Sequence, residues 1–466
     1  MLIIAPNHVR RPSYGPNSPV IGERGARTRQ AIIDAALEAF KGQGLHATSI
    51  DEIADGAGVS RATFYQYFES KDQLFLDLIR KAAADLLRVI RRLGPLGPTP
   101  EGYDNLHWWL GEWAWVQDKY KAVYLQWTAI DAPQPSMRPL IIEQIVSYVS
   151  TLSPRLAAAI DEGNNDIDGM ATVLPALLFR VNAYRQKGNT RGLSDDELLA
   201  ALATFVQLAL FPSTPASALA VHALPEQPDR AAVPPRRRRS DASRLSQPDV
   251  TSLSSRSTHT PETVQRILDA GAATFAVRGF HGTSVEDVLR TARAGRGTFY
   301  KYFDDKTDLL VTLARDCLTR LENLAGCFAR AVAANDQEHG LRQWVERCLA
   351  LHRQYRGVFR ALLQEESQNA ALKELRVHSG ETILLAFDDA LATIDHDYPF
   401  DVRVGSLVLL ALLERGPDYA FGTPYDLSDE RIVEILTTLI EQGLLDRKPT
   451  PRAGRPSTRD GAPPTR

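Results

Sequence analysis

RATFYQYFESK, residues 61–71, returns as RGTFYKYFDDK, residues 296–306. The offset of 235 positions holds without a gap well beyond this run. Thr28, Ile32, Asp34, Phe40, Gly44 and Ser49 fall on Thr263, Ile267, Asp269, Phe275, Gly279 and Ser284. Downstream, Trp109, Tyr120, Leu174 and Tyr184 fall on Trp344, Tyr355, Leu409 and Tyr419. Solenoid units repeat every 20 to 50 residues or so, and a period this long therefore marks a duplicated domain.

The 466 residues are 44% hydrophobic and 24% charged, a globular balance in a chain too long for one small domain. No stretch offers about 20 uninterrupted apolar residues, and the apolar run ahead of Pro6 is too short for a secretory signal; a soluble, cytoplasmic protein without membrane contact is expected. Cys317, Cys327 and Cys348 lack CxxC spacing, which points to buried thiols rather than a disulfide framework or a zinc site. The net charge of −3 excludes a protein that coats nucleic acid by bulk charge, so any DNA contact must come from placed residues.

Helical periodicity runs through both halves. Ile32, Ile33, Ala36, Leu37 and Phe40 keep one face, and strand alternation is nowhere sustained, which predicts an all-α fold. Residues 213–258 turn to Pro, Ser, Ala and Arg with few aliphatics, the composition of a flexible linker. The expected organisation is a head at 1–21, a first helix-turn-helix domain at 22–75, a first helical body at 76–212, the linker, a second helix-turn-helix domain at 259–310, a second body at 311–446 and a tail at 447–466.

Local chemistry supports the helix-turn-helix. Ser49 and Glu52 have the spacing of a capping box, Gly58 suits a left-handed helix end, Ser60 can cap a second short helix, and Ser70 can start a third. On the middle helix Phe64 and Phe68 are four apart and belong inside. Arg61, Thr63, Tyr65 and Tyr67 are then expected on the exposed side, where phenols and a guanidinium suit a polyanion, with Lys71 beside them. Arg61 is placed to read guanine in a major groove.

TSIDEIADGAGVSRATFYQYFESKDQLF, residues 48–75, resembles the DNA-binding domain of the TetR family of bacterial transcriptional regulators, and TSVEDVLRTARAGRGTFYKYFDDKTDLL, residues 283–310, resembles it again. The resemblance implies two tandem units, each a three-helix reader ahead of a larger helical ligand-binding and dimerisation body. It implies contact with double-stranded DNA from Thr48, Ser60, Arg61, Thr63, Tyr65, Tyr67 and Lys71, and from Thr283, Arg296, Thr298, Tyr300, Tyr302 and Lys306. At its turn the second copy has Arg293, Ala294 and Gly295 where the first has Gly58, Val59 and Ser60. A looser turn and a weaker second reader follow as expectations.

Residues 105–127 hold five of the six tryptophans. Trp109, Trp113, Tyr124 and Trp127 are the candidate lining of a pocket for an apolar or aromatic effector in the first body. No histidine falls in an HExxH pattern and there is no GxSxG elbow or phosphate loop, so no cofactor, no metal and no catalysis are expected. The leading expectation is a sequence-specific DNA-binding regulator, a repressor tuned by a small molecule. Its alternatives are a scaffold in which only the first reader binds DNA, and an architectural DNA binder without an effector. The bodies are expected to pair through their last two helices, as an intramolecular pseudo-dimer or, failing that, a homodimer.

Overall fold

The computed structural model describes residues 23–124, 138–160, 166–220, 261–333, 337–365, 369–394, 401–420 and 427–445. Among the described residues every regular element is a helix, and no helix is long and apolar enough to cross a membrane. The first unit consists of α1 (Glu23–Ala47), α2 (Ile50–Gly56), α3 (Arg61–Tyr67), α4 (Lys71–Arg91), α5 (Pro100–Lys119), α6 (Arg138–Ala157), α7 (Ile167–Gln186), α8 (Asp195–Leu210) and the short α9 (Ala216–Leu219). The second repeats this order as α10 (Pro261–Arg278), α11 (Val285–Ala292), α12 (Arg296–Tyr302), α13 (Lys306–Ala333), α14 (Gln337–Glu365), α15 (Ala370–Leu391), α16 (Val402–Ala420) and α17 (Asp429–Leu444). Helices α3 and α12 begin and end at positions 235 apart.

Hydroxyl side chains decide where several of these helices start. Ser49 and Glu52 close the capping box of α2, Ser70 accepts from the Gln73 amide to start α4, and Thr99 caps α5 with Pro100 in its first turn. Ser194 and Glu197 form a further capping box at α8. After the turn at Tyr120, residues 121–124 are again helical. Cys317 and Cys348 are buried and Cys327 is half-buried.

Helix α4 carries a continuous apolar stripe that joins the three-helix unit to the body: Leu74, Phe75 and Leu78 face α1–α3, while Leu86, Val89 and Ile90 continue into the bundle. In the bodies, α7 is buried almost all round, which its near-uniform apolar sequence requires. One side packs on α6 of its own body and the other on α16 of the second body, while α8 packs on α17. Two glycines let the bodies close on each other. A Cβ on Gly169 would meet Ile435 Cδ1 at 2.2 Å, and one on Gly443 would meet the Phe205 ring at 2.6 Å.

Ion pairs fix this contact. Arg180 donates from Nε to Glu414 Oε2 at 2.5 Å, and Tyr184 donates to the same oxygen at 2.6 Å. Arg431 forks onto Asp166 at 2.8 and 2.9 Å, and Arg191 forks onto Asp388 at 2.7 and 2.5 Å. Each joins one half of the chain to the other.

Candidate nucleic-acid interface

The three-helix unit is organised by its turn. Gly58 takes φ 65°, the left-handed region that ends α2, and the Val59 amide returns to the Ala54 carbonyl at 2.9 Å. Ser60 then caps α3 by accepting from the Thr63 amide at 3.1 Å, and its hydroxyl meets that of Thr63 at 2.9 Å. Phe64 and Phe68 are buried, with ring centroids 5.8 Å apart. Their burial fixes the roll of α3 and turns Arg61, Ala62, Tyr65 and Gln66 outward. Tyr65 is 44% exposed and its counterpart Tyr300 is 54% exposed, unusual for rings of that size.

The other expected contacts divide. Arg61 and Arg296 are exposed at the start of α3 and α12, each bridged to an acid of the preceding helix: Arg61 to Asp51 at 2.7 Å, and Arg296 to Glu286. Thr63 and Thr298 are half-exposed on the same side as the arginines. The expectation of an exposed Tyr67 is corrected. Its ring is 6% exposed because it stands three residues after Phe64 and shares that face; Tyr302 is half-buried. Thr48 and Thr283 are also turned inward, their hydroxyls donating to Gly44 and Gly279 carbonyls at 2.8 and 2.7 Å, so neither hydroxyl lies on the outer surface. Lys71 donates to the Thr48 carbonyl at 2.7 Å, and Lys306 to the Phe280 and Thr283 carbonyls at 2.7 and 2.9 Å. Both lysines clip the end of the first helix to the start of the fourth. Gln66 and Lys301, absent from the expected set, join the outer face; each directly follows an exposed tyrosine and stands two residues after a buried phenylalanine, which was the available signal.

The second turn keeps the geometry of the first with poorer residues. Arg293 occupies the left-handed region at φ 51°, ψ 45°, where Gly58 stands in the first copy, so the turn is not looser in shape. Gly295 gives α12 no side-chain cap. The capping box of α11 persists with Asp287 in place of glutamate. Hydrogen bonds from the Ser284 hydroxyl and amide, aided by Arg278 and Arg290, hold the Asp287 carboxyl down to about 2.

The first body contains a cavity of about 1020 Å³, counting its open mouth, between α4, α5, α6 and α7. Of the aromatic residues expected to line it, Tyr124 does. Trp113 is fully buried behind the wall, its ring 5.3 Å from that of Phe179, and Trp109 borders a smaller, separate cavity of about 330 Å³. Trp127 lies outside the described residues. The walls are supplied instead by Leu86, Gln117, Tyr148, Pro175, Phe179 and Arg180 among others. Among the described residues no group of histidines, cysteines and carboxylates could hold a metal ion.

The profile described as bacterial regulatory proteins, tetR family, matches residues 32–78 and again 267–313, the two matches lying in the same 235-residue register. The HTH-type transcriptional activator FasR of Mycolicibacterium smegmatis is 39% identical over 83 residues, 18% of this chain and 37% of its own length. The HTH-type transcriptional repressor KstR2 of Rhodococcus jostii is 26% identical over 163 residues, 33% of this chain and 75% of its own length. Among solved structures, Salmonella enterica GusR aligns over 41% of this chain and 99% of its own at 20% identity, with a TM-score of 0.31. The chain thus spans little more than a third of the first relative and three quarters of the second. Two profile matches, each on a helix-turn-helix with an exposed Arg–Tyr face, show that the N-terminal domain of the tetR family of bacterial regulatory proteins is present twice in this chain.

Proposed function

We propose that the protein is a sequence-specific DNA-binding transcriptional regulator, a repressor, in which two readers on one chain engage the two halves of one operator. The observation that carries this reading is the exposed face of α3, Arg61 with Tyr65, repeated by Arg296 with Tyr300 on α12. Two surface-exposed tyrosines beside a guanidinium make poor solvent contacts and good phosphate and base contacts. Arg61 and Arg296 read base edges; Ser60, Thr63, Tyr65, Thr298 and Tyr300 hold the backbone. Lys71 and Lys306 act through the loop that they clip. The repressor sign rests on the longer of the two alignments, which is to a protein named as one.

The bodies act as a pseudo-dimer through α7, α8, α16 and α17, supported by the three ion pairs between them. The cavity of the first body is the effector site. Selection of bound duplexes from a random pool, repeated with Arg61→Ala and Arg296→Ala, tests the whole reading. One preferred, imperfectly palindromic site is expected from the parent chain, because the readers differ at Ser60 and Gly295, Ala62 and Gly297, and Gln66 and Lys301. Absence of any preferred sequence would make it an architectural binder, and indifference to Arg296→Ala alone would leave the second unit a scaffold.

A further inference from the structure

The two bodies hold the same cavity at very different sizes. In the second body the space equivalent to the 1020 Å³ cavity is about 380 Å³, both counted with their open mouths; the bulkier Leu318 stands there where the first has Ala83, and the charged Glu414 where it has Phe179. Between them runs one buried ion pair. Arg180 is a wall of the first cavity, and its partner Glu414 is a wall of the second. Glu414 is also 3.9 Å from Arg376, so two guanidinium groups converge on one carboxylate. Burial opposes the Glu414 charge, but Arg180 and then Arg376 outweigh it and hold the carboxyl below its usual range.

Three of the polar side chains that line the first cavity, Arg180, Gln117 and Tyr148, are buried. Arg180 Nη2 is ion-paired with the same Glu414 oxygen that accepts from its Nε. Gln117 Nε2 and the Tyr148 hydroxyl are buried donors without an acceptor. These side chains are 5%, 1% and 7% exposed. Buried donors without acceptors are costly, and here two of them flank a guanidinium. An apolar wall with two such donors calls for a ligand that brings oxygen acceptors, and beside a guanidinium the best acceptor is a carboxylate.

We propose that the first cavity takes an amphiphilic monocarboxylate, whose acid group binds Arg180 in competition with Glu414 of the second body. This deepens the effector reading given above and rests on it. One ligand per chain then serves both readers: occupancy at Arg180 loosens the pair that ties α7 to α16, while the second cavity, about 380 Å³ against 1020 Å³, is too small for the same ligand.

Calorimetric titration of the full chain with decanoate, 1-decanol and decylamine tests this without DNA, so a failed operator selection would overturn the regulator reading and leave the ligand result standing. Decanoate is expected to bind once per chain, at least about tenfold tighter than decanol, with no binding of the amine. Glu414→Gln removes the competitor and should tighten decanoate severalfold. The double variant Arg180→Gln with Glu414→Gln, which strands no charge and whose folding is checked by its melting curve, should bind acid and alcohol alike. Absence of decanoate binding, equal affinity for acid and alcohol in the parent chain, two sites per chain, or an acid preference that survives the double variant would each overturn the proposal.

Discussion

Arg61 sits at the first position of a seven-residue helix, tethered to Asp51 and over the Tyr65 ring at 5.8 Å, which holds the guanidinium near one orientation before DNA arrives. Arg61→Ala should cost about 1 to 3 kcal/mol on the preferred site and relax choice at one base pair, while Tyr65→Phe weakens all sequences alike. Competition binding with single-base operator variants separates the two outcomes. A second residue-scale prediction concerns acid. The Asp287 carboxyl is depressed to about 2, so its contribution to the α11 cap is fully present above the unfolded value near 3.9 and is lost as pH falls through about 2. Asp287→Asn should flatten the pH dependence of stability across that window and leave the slope above pH 5 unchanged. At this scale the sequence told inward from outward only where the periodicity was unambiguous. Phe64 and Phe68 declared themselves, but Tyr67 was grouped with its exposed neighbours although it lies three residues from Phe64. Thr48 stands just ahead of a cap, where side chains commonly pack inward. The clip from Lys71 to the Thr48 carbonyl joins residues 23 positions apart and left no local trace.

Whole helices were more legible than single side chains, because caps and apolar stripes mark them in sequence. Ser49, Ser60 and Ser70 set the starts of α2, α3 and α4 as their spacing implied. The cavity was not legible in the same way: it forms where four helices diverge, and a count of tryptophans does not tell which ring faces the gap. Trp115, in the same cluster, is 60% exposed. Arg293 gives an element-scale prediction. It holds the left-handed position that glycine holds in the first copy, and Arg293→Gly should stabilise the α11–α12 turn by about 1 kcal/mol, read from urea midpoints at unchanged slope. Gly357 gives the converse. A Cβ there would meet the Ala276 amide nitrogen at 2.2 Å and the Phe275 carbonyl carbon at 2.3 Å, so α10 lies backbone against backbone on α14, where the first copy has Ala122. Gly357→Ala should force the second reader away from its body and destabilise the chain by about 1 to 3 kcal/mol. The two bodies also kept one bend while exchanging its chemistry. Tyr120 and Tyr355 share a non-helical conformation, φ −107° and −108°, and each donates its hydroxyl to a carboxylate of the neighbouring helix. The acceptor is Asp85 in one and Asp316 in the other, one helical turn apart in register.

For the molecule as a whole, the decisive feature is that its inter-body ion pairs are not self-complementary. Arg180 faces Glu414, whose counterpart in the first half is Phe179; Asp166 faces Arg431, whose counterpart is Asp196; Arg191 faces Asp388, whose counterpart is Ser153. Two first bodies meeting through the same helices would bury Arg180 against a phenyl ring and set Asp166 against Asp196, a penalty that directs each body to the other kind. Light scattering should therefore give one chain per particle near 51.6 kDa. Arg180→Glu should break the pairing, and adding Glu414→Arg should recover it; a particle of twice the mass in the parent chain would overturn the intramolecular arrangement. The same asymmetry bears on the peptide that joins the halves. If partner choice is written in Arg180, Asp166 and Arg191, covalent continuity between residues 220 and 261 is dispensable for recognition. A chain nicked there by a protease should elute as a single particle. By the same argument the gene could be split in two and its separately translated halves would still find each other, as obligate partners that no longer accept copies of themselves.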